Sequence, residues 1–260
     1  MATAVFFHAH PDDEAIATGG TMAKMASQGH RVVLVTATRG ELGETPPDIV
    51  KPGEDLAEVR DRELAEACGI LGVNRREFLG YRDSGMAGEE SNSDPTCFGQ
   101  ADIEEAASRL ASLLEEERAD VLTIYDEHGG YGHPDHIQVH RVGKRAGEIA
   151  RTPAVFMSTM NRDRVKELMD KAADLGIEQP PGDGADMDAF GEPSVRITNE
   201  VDVSQFLSQK RGAMRVHASQ ISETSFFLSM NDEVFELVWG IESYIKVGVE
   251  PRGEISTSLI

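Results

Sequence analysis

The chain has 260 residues, enough to bury a full core as one large domain or as a domain with an appended piece. Its 46 acidic residues against 25 basic ones leave a net charge of −21, which repels polyanions and sets nucleic acid and anionic membrane surfaces aside as partners. The two cysteines, Cys68 and Cys97, are too few for a disulfide framework and lack C-x-x-C spacing, and no apolar run approaches the ~20 residues that span a bilayer. With no basic leader before the first strand, the expectation is a soluble cytoplasmic protein without membrane insertion.

Ala4-Val5-Phe6-Phe7 predicts a strand over 3–9, followed by a helix over 13–28 with Gly29 as its C-cap and a second strand over 31–38. A polar stretch rich in Gly and Pro, 39–54, leads into a helix over 54–72, where Leu56, Val59, Leu64, Ala67, Cys68 and Leu71 recur at helical spacing and Gly72 caps the end. Strands over 76–80, 120–126 and 153–159 then alternate with helices over 101–118 and 135–150; a second polar loop fills 83–100. That rhythm predicts an α/β fold, a Rossmann-like, mainly parallel sheet with helices on both faces, whose core spans 1–160. Residues 161–260 read as a C-terminal α/β extension packed on the core within one domain: a strand over 195–201, a helix over 203–221, and a helix running into a strand over 232–248. Between them, 178–194 carries several aspartates, but the glycine and distal glutamate of a calcium loop are out of register, so it reads as an acidic linker or lid.

The chemistry gathers after two strands. His10-Pro11-Asp12-Asp13-Glu14 follows the first and Tyr131-Gly132-His133-Pro134-Asp135-His136 follows Val121-Leu122-Thr123-Ile124-Tyr125, so both clusters project from the same edge of the sheet, where open α/β proteins place their sites. His10 and Asp13, at i and i+3 around a tight strand-to-helix turn, can aim a nitrogen and a carboxylate oxygen at one ion; His136, opening its own helix, is the third ligand chosen. A lone histidine is usually a core or surface residue, but two H-P-D clusters read otherwise. His8 is the rival ligand, though its place deeper in the sheet favours a structural role; His140 reads as a helix-face histidine bonded to backbone or carboxylate, and Glu14 as an acid serving the helix N-terminus.

With Asp13 on the metal, Asp12 is free to act as general base toward a water whose pKa zinc lowers from about 15.7 to about 7. Tyr131 and His133 are candidates to stabilise the oxyanion, and His133, oriented and kept protonated by Asp135, to donate a proton to the departing amine. Each has a plainer reading, Asp135 as a helix-start acid and Tyr131 as a packing residue, but the glycines 129, 130 and 132 suggest a mobile loop able to swing the phenol over a substrate. Zinc, iron and cobalt all accept such a ligand set.

These motifs resemble the PIG-L/LmbE superfamily of zinc-dependent de-N-acetylases and amidases, which includes mycothiol-pathway enzymes. The resemblance spans roughly 3–160, with support at Thr38-Arg39-Gly40-Glu41, Arg60 to Leu64, Tyr81-Arg82-Asp83-Ser84-Gly85, and in the later segment Lys210 to Gln220. It implies one Zn²⁺ per chain at His10, Asp13 and His136, the base at Asp12, assistance from His133, and sugar contacts from Arg60, Asp83 and, more weakly, Glu41. From the residues alone those last three are an ordinary helix-face charge and two loop acids. The expected function is removal of an acetyl group from an N-acetylglucosamine-type sugar conjugate. The alternatives are an amidase of mycothiol-type S-conjugates and a metal-dependent sugar-binding module without turnover. Ala17 stands where related enzymes carry a polar or basic residue, which leaves the exact substrate open, as the sequence leaves open a homo-oligomer. No G-x-G-x-x-G follows the first strand, which argues against a nicotinamide-binding protein.

Overall fold

The computed structural model describes residues 1–171, 190–251 and 253–260. Strands β1 (Thr3–His8), β2 (Arg31–Thr36), β3 (Arg75–Phe78), β4 (Val121–Tyr125) and β5 (Ala154–Thr159) pair in parallel in the order β3-β2-β1-β4-β5. Strand β7 (Ile241–Lys246) then adds antiparallel to β5, and β6 (Asn199–Asp202) to β7. Residues after 160 are thus hydrogen-bonded into the sheet rather than merely laid on it.

Alternation along β1 builds two cores. Ala4 and Phe6 face one side, with Val32, Leu34, Leu64, Leu71 and Met214; Val5 and Phe7 face the other, with Val33, Val35, Leu110, Leu122 and Val142. The first face is covered by α1 (Gly19–Ser27), α2 (Leu56–Leu71), α7 (Leu207–Val216) and α8 (Asp232–Trp239), the second by α3 (Ile103–Glu117) and α5 (Pro134–Ala150). A one-turn helix α4 (Gly129–Gly132) precedes α5, and α6 (Arg162–Asp170) follows β5. Helix starts are capped as their sequences suggest: Asp55, Asp102 and Asn231 accept backbone N–H groups at 2.9 Å each. Gly72 ends α2 at φ 74°, and Gly29, at φ 79°, lies two residues beyond the end of α1.

Three expected elements differ. The helix expected over 13–28 is a π-helical turn, Glu14–Thr18, followed by α1. At the break, Glu242 of β7 accepts the N–H groups of Gly20 and Thr21 at 2.9 and 2.8 Å, while the buried Lys210 ammonium donates to Ile16 O and to Glu242, both at 2.6 Å. These partners come from more than 190 residues downstream, so no local pattern announces them. The helix expected over 203–221 is confined to α7 because His217 leaves helical geometry (ψ 46°) and Ser219 turns back onto Glu63 of α2. The strand expected over 195–201 begins instead with a 3₁₀ turn, Ser194–Arg196, and becomes β6 only at Asn199. Of the acidic segment 178–194, residues 178–189 lie outside the described residues. No helix among those described is long and apolar enough to cross a membrane.

At the edge opposite the two motifs, Glu117 ties α3 to the starts of two strands, accepting from Arg31 at 2.6 and 3.0 Å and from Arg75 at 2.8 Å. Arg31 first, and then Arg75, outweigh burial and draw the carboxyl from 4.5 down to about 2. A depressed carboxylate contributes its stability above the unfolded value and loses it as pH falls through the folded one. The Tm deficit of Glu117→Gln should therefore be full above about pH 4.5 and shrink steadily towards pH 2; a deficit independent of pH would show that the ion pairs are not its source.

Candidate metal centre and active site

In chain order the parallel sheet grows outward from β1 to β2 and β3, then returns to the other side with β4 and β5. The crevice at this reversal lies beyond the carboxyl ends of β1 and β4, and both motifs open into it. His10 and Asp13 arrive from β1; His133, Asp135 and His136 arrive from β4 through α4 and the start of α5.

Asp13 lies between two imidazoles, with its oxygens 3.5 Å from His10 Nδ1 and 3.4 Å from His136 Nε2. It also accepts the His10 N–H at 2.8 Å, closing the strand-to-helix turn. On the other side of the His10 ring, Nε2 meets Asp135 at 3.1 Å and Asp83 at 3.5 Å. Burial alone would push His10 down, but Asp13, Asp135 and Asp83 hold it well above 6.5; burial alone would push Asp13 up, but His136 and His10 hold it well below 3.8. Three carboxylates converging on one buried imidazole make the pocket electronegative and suited to a cation. His136 stacks on Tyr125, centroids 4.6 Å apart, and its buried Nε2, 3.4 Å from Asp13, makes no well-formed hydrogen bond among the described residues, which fits a nitrogen available to a metal ion.

Asp12 stands at φ 110°, a region that side chains rarely adopt. Its carboxylate lies 3.4 Å from Arg60 of α2, and burial, opposed by Arg60 and reinforced by Asp13, lifts its pKa to about 6. Arg60 is itself buried, donating to Pro11 O and, at 2.7 Å, to Gly40 O. Gly40 has φ 64°, and a Cβ there would run into the guanidinium, so this glycine is required twice over. Asp83 accepts from Leu42 N at 3.2 Å and Gly85 N at 2.9 Å, and its own N–H bonds Glu41 at 3.2 Å. Arg60, Asp83 and Glu41 therefore knit the loops after β2 and β3 to the site, with Arg60 turned onto Asp12 rather than outward.

Around β4, two expectations change. The Asp135 carboxylate does not orient His133: it holds His10 and both the N–H (3.0 Å) and hydroxyl of Ser84, and only the Asp135 backbone N–H reaches His133 Nδ1, at 3.1 Å. Nor is His133 favoured in its protonated form, since burial, then His10 and His136, lower its pKa to about 4. With Nδ1 accepting a hydrogen bond, a neutral ring would carry its proton on Nε2. Tyr131 is about half exposed, its ring centroid 4.9 Å from that of His136. Its loop is tethered by Asp126, which accepts from His128 N at 3.0 Å, Gly130 N at 2.9 Å and Thr159 Oγ1 at 2.6 Å.

His8 is pinned between Tyr125 Oη (2.7 Å) and Thr18 Oγ1 (2.8 Å), and burial lowers it to about 4; His140 bonds Tyr125 O at 3.0 Å. Both rings are thus held by hydrogen bonds to groups other than Asp13. Glu14 accepts the Asp12 N–H, in keeping with a helix-start acid, and also pairs with His217. Sequence reasoning missed Tyr125 as the stacking partner of His136 and Ser84 as the clamp on Asp135. The signal for Tyr125 was its place at the end of β4, and for Ser84 its place in the Tyr81-to-Gly85 stretch of the resemblance.

Carboxylates and imidazoles gathered at a switch point, with a raised carboxyl beside them, are compatible with a divalent metal and with hydrolysis at this site. The family model described as GlcNAc-PI de-N-acetylase, PIG-L, matches residues 5–147, and the chain belongs to that family. It is 41% identical to a 1D-myo-inositol 2-acetamido-2-deoxy-alpha-D-glucopyranoside deacetylase of Thermomonospora curvata, over 96% of this chain and 91% of that protein. To a protein of the same description from Nocardiopsis dassonvillei it is 42% identical, over 97% and 98%. A teicoplanin deacetylase, Orf2, solved in a zinc-inhibited form, shares the fold with a TM-score of 0.63 at 18% identity, over 95% and 98% of the two chains.

The expected set, His10, Asp13 and His136, meets in the crevice through the two different oxygens of Asp13; among the described residues the groups whose ligand atoms lie within 4.8 Å of one another are His10, His133 and His136, then His10, Asp83 and Asp135, and also Glu127, His128 and Glu192. The hydrogen bond already accepted by His133 Nδ1 favours the expected set, and Asp135 on the far nitrogen of His10 is the outer partner a ligating histidine commonly has. Metal analysis of the purified variants should accordingly find Asp13→Ala and His136→Ala depleted of divalent ion, and His133→Ala and His8→Ala near full occupancy. The reverse pattern for Asp13 and His133 would select the imidazole set.

Proposed function

We propose that this chain is a zinc-dependent N-deacetylase that hydrolyses the acetamide of an N-acetylglucosamine joined to a small polyol, inositol foremost. The observation that carries the reading is the carboxylate-caged set His10, Asp13 and His136, with Asp12 held beside it, in a chain aligned almost end to end with deacetylases of a glucosaminyl inositol. His10, Asp13 and His136 would hold the ion, whose chemistry is Lewis acidity toward the amide carbonyl and the attacking water.

The residues supply the rest. Asp12 takes a proton from water as its oxygen adds to the amide carbon. It returns that proton to nitrogen as the C–N bond breaks, leaving acetate and the free amine. A pKa raised to about 6 suits a group that must both accept and release a proton. Neutral His133, through Nε2–H, and Tyr131, through its phenol, donate to the oxyanion; a donor of this kind contributes about 3–4 kcal/mol to the transition state. Asp83 and Glu41 line the substrate side, while Arg60 acts through Asp12. The substrate is a small molecule. A cytoplasmic location belongs to this reading, supported by two buried, unpaired thiols, Cys68 and Cys97.

A panel containing the N-acetylglucosaminyl inositol, N-acetylglucosamine and a mycothiol-type S-conjugate, read by free-amine release, tests the substrate. The inositol compound should turn over fastest; preference for the S-conjugate would make the chain an amidase, and no release from any of the three would leave a binding module. Asp12→Asn should keep its metal and lose at least about a hundredfold in kcat. His133→Ala should also lose roughly a hundredfold or more, with the alkaline limb of its pH profile unmoved, because a neutral donor has no proton to lose there. Disappearance of that limb would restore His133 as the acid.

A further inference from the structure

Behind Asp12 lies an ion pair that the reaction does not use. Glu14, in the π-helical turn, and His217, just past the end of α7, both have fully buried side chains and meet at 2.6 Å between Oε1 and Nε2. The other Glu14 oxygen, Oε2, accepts the backbone N–H of Asp12 at 3.0 Å. One carboxylate thus joins the C-terminal part of the chain to the peptide of the residue at φ 110°. His217 is fixed in turn: its N–H bonds Met214 O at 3.2 Å, and its carbonyl accepts from Gln220 at 2.9 Å and Ile221 at 2.8 Å. The Ser219 N–H and hydroxyl hold Glu63 of α2 at 2.8 and 2.6 Å. Since α2 also carries Arg60 to the Asp12 carboxylate, the strained residue is gripped by its side chain from one direction and by its peptide from another.

We propose that Glu14 and His217 are positioning residues for Asp12: His217 orients the Glu14 carboxylate, and that carboxylate holds the Asp12 N–H and with it the left-handed backbone that aims the base. An unpaired buried Glu14 would turn toward some other donor. The Asp12 peptide would then relax toward ordinary φ and carry its carboxylate with it. A misplacement on the order of 1 Å costs about a hundredfold in rate. The inference rests on the reading of Asp12 as the proton carrier.

A double-mutant cycle on the metal-loaded full chain tests it, with N-acetylglucosamine as probe, free amine as readout, and metal content and Tm recorded for every variant. Glu14→Ala should lower kcat about a hundredfold with KM and metal content within about twofold. Glu14→Gln, which keeps an oxygen for the Asp12 N–H and an N–H for neutral His217, should recover to within about tenfold of the native kcat. In an Asp12→Asn background the same Glu14→Ala change should cost less than about threefold, because no base remains to be aimed. Equal losses in both backgrounds, a native kcat in Glu14→Ala, or loss of metal from it would each overturn the inference. If Glu14→Ala does not fold, His217→Gln against His217→Leu decides: the glutamine, which retains a donor, should keep kcat near native while the leucine loses it at constant KM, and equal behaviour of the two overturns the proposal. An Asp12→Asn enzyme with normal turnover would instead remove the base reading itself, whatever the Glu14 variants do.

Discussion

The Asp13 carboxylate, 3.5 Å from His10 and 3.4 Å from His136, is the contact on which the site depends, because it joins residues delivered by two different strands. β1 and β4 are neighbours in the sheet but separated by more than a hundred residues of chain, including β2, α2, β3 and α3. Their parallel pairing, Ala4 with Val121 through Phe6 with Thr123, sets the two motifs at one level of the edge. A slip of a single residue would exchange the two faces of the strand and separate His10 from His136. The apolar alternation on both sides of β1 therefore protects the chemistry as well as the core.

Charge in the site is arranged by opposition. Three carboxylates surround His10, and burial makes each of their attractions count for more than it would in water. His133, only 4.6 Å away between ring centroids, is pushed down by its burial and then by the imidazoles of His10 and His136. Two histidines in one crevice are thus shifted in opposite directions, His10 up and His133 down. Adjacent Asp12 and Asp13 diverge in the same way, one lifted by burial and the other drawn down by His136 and His10. Pairs of like residues driven apart by their surroundings are the mark of a site with divided roles.

The C-terminal part of the chain is built into this arrangement. β7 and α7 contribute Glu242 and Lys210 to the break between the π-helical turn and α1, and His217 to Glu14 within that turn. A π-helical turn makes poorer use of its backbone hydrogen bonds than an α-helix, and such turns recur at functional sites. Here its ends are satisfied by buried, charged partners. The helix start that presents Asp12 and Asp13 is consequently held from the far end of the sequence.

Much of this was legible in the amino-acid order, for reasons of locality. The strands β1 to β5, the helices between them and the capping residues follow from periodicity and turn chemistry within a dozen residues, and the two H-P-D clusters announce themselves by residue type and position after strands. The resemblance to a deacetylase family rested on those same short motifs. What only the tertiary structure decided are the partners: Asp135 belongs to His10 and Ser84 rather than to His133, Arg60 is turned inward onto Asp12, and burial lowers the pKa of His133. The break in the first helix and the early end of α7 were equally illegible, because Glu242, Lys210 and Glu63 act across 150 residues or more. A local pattern specifies what a segment can become; hydrogen-bond partners, burial and hence protonation depend on which distant segments the sheet brings alongside it.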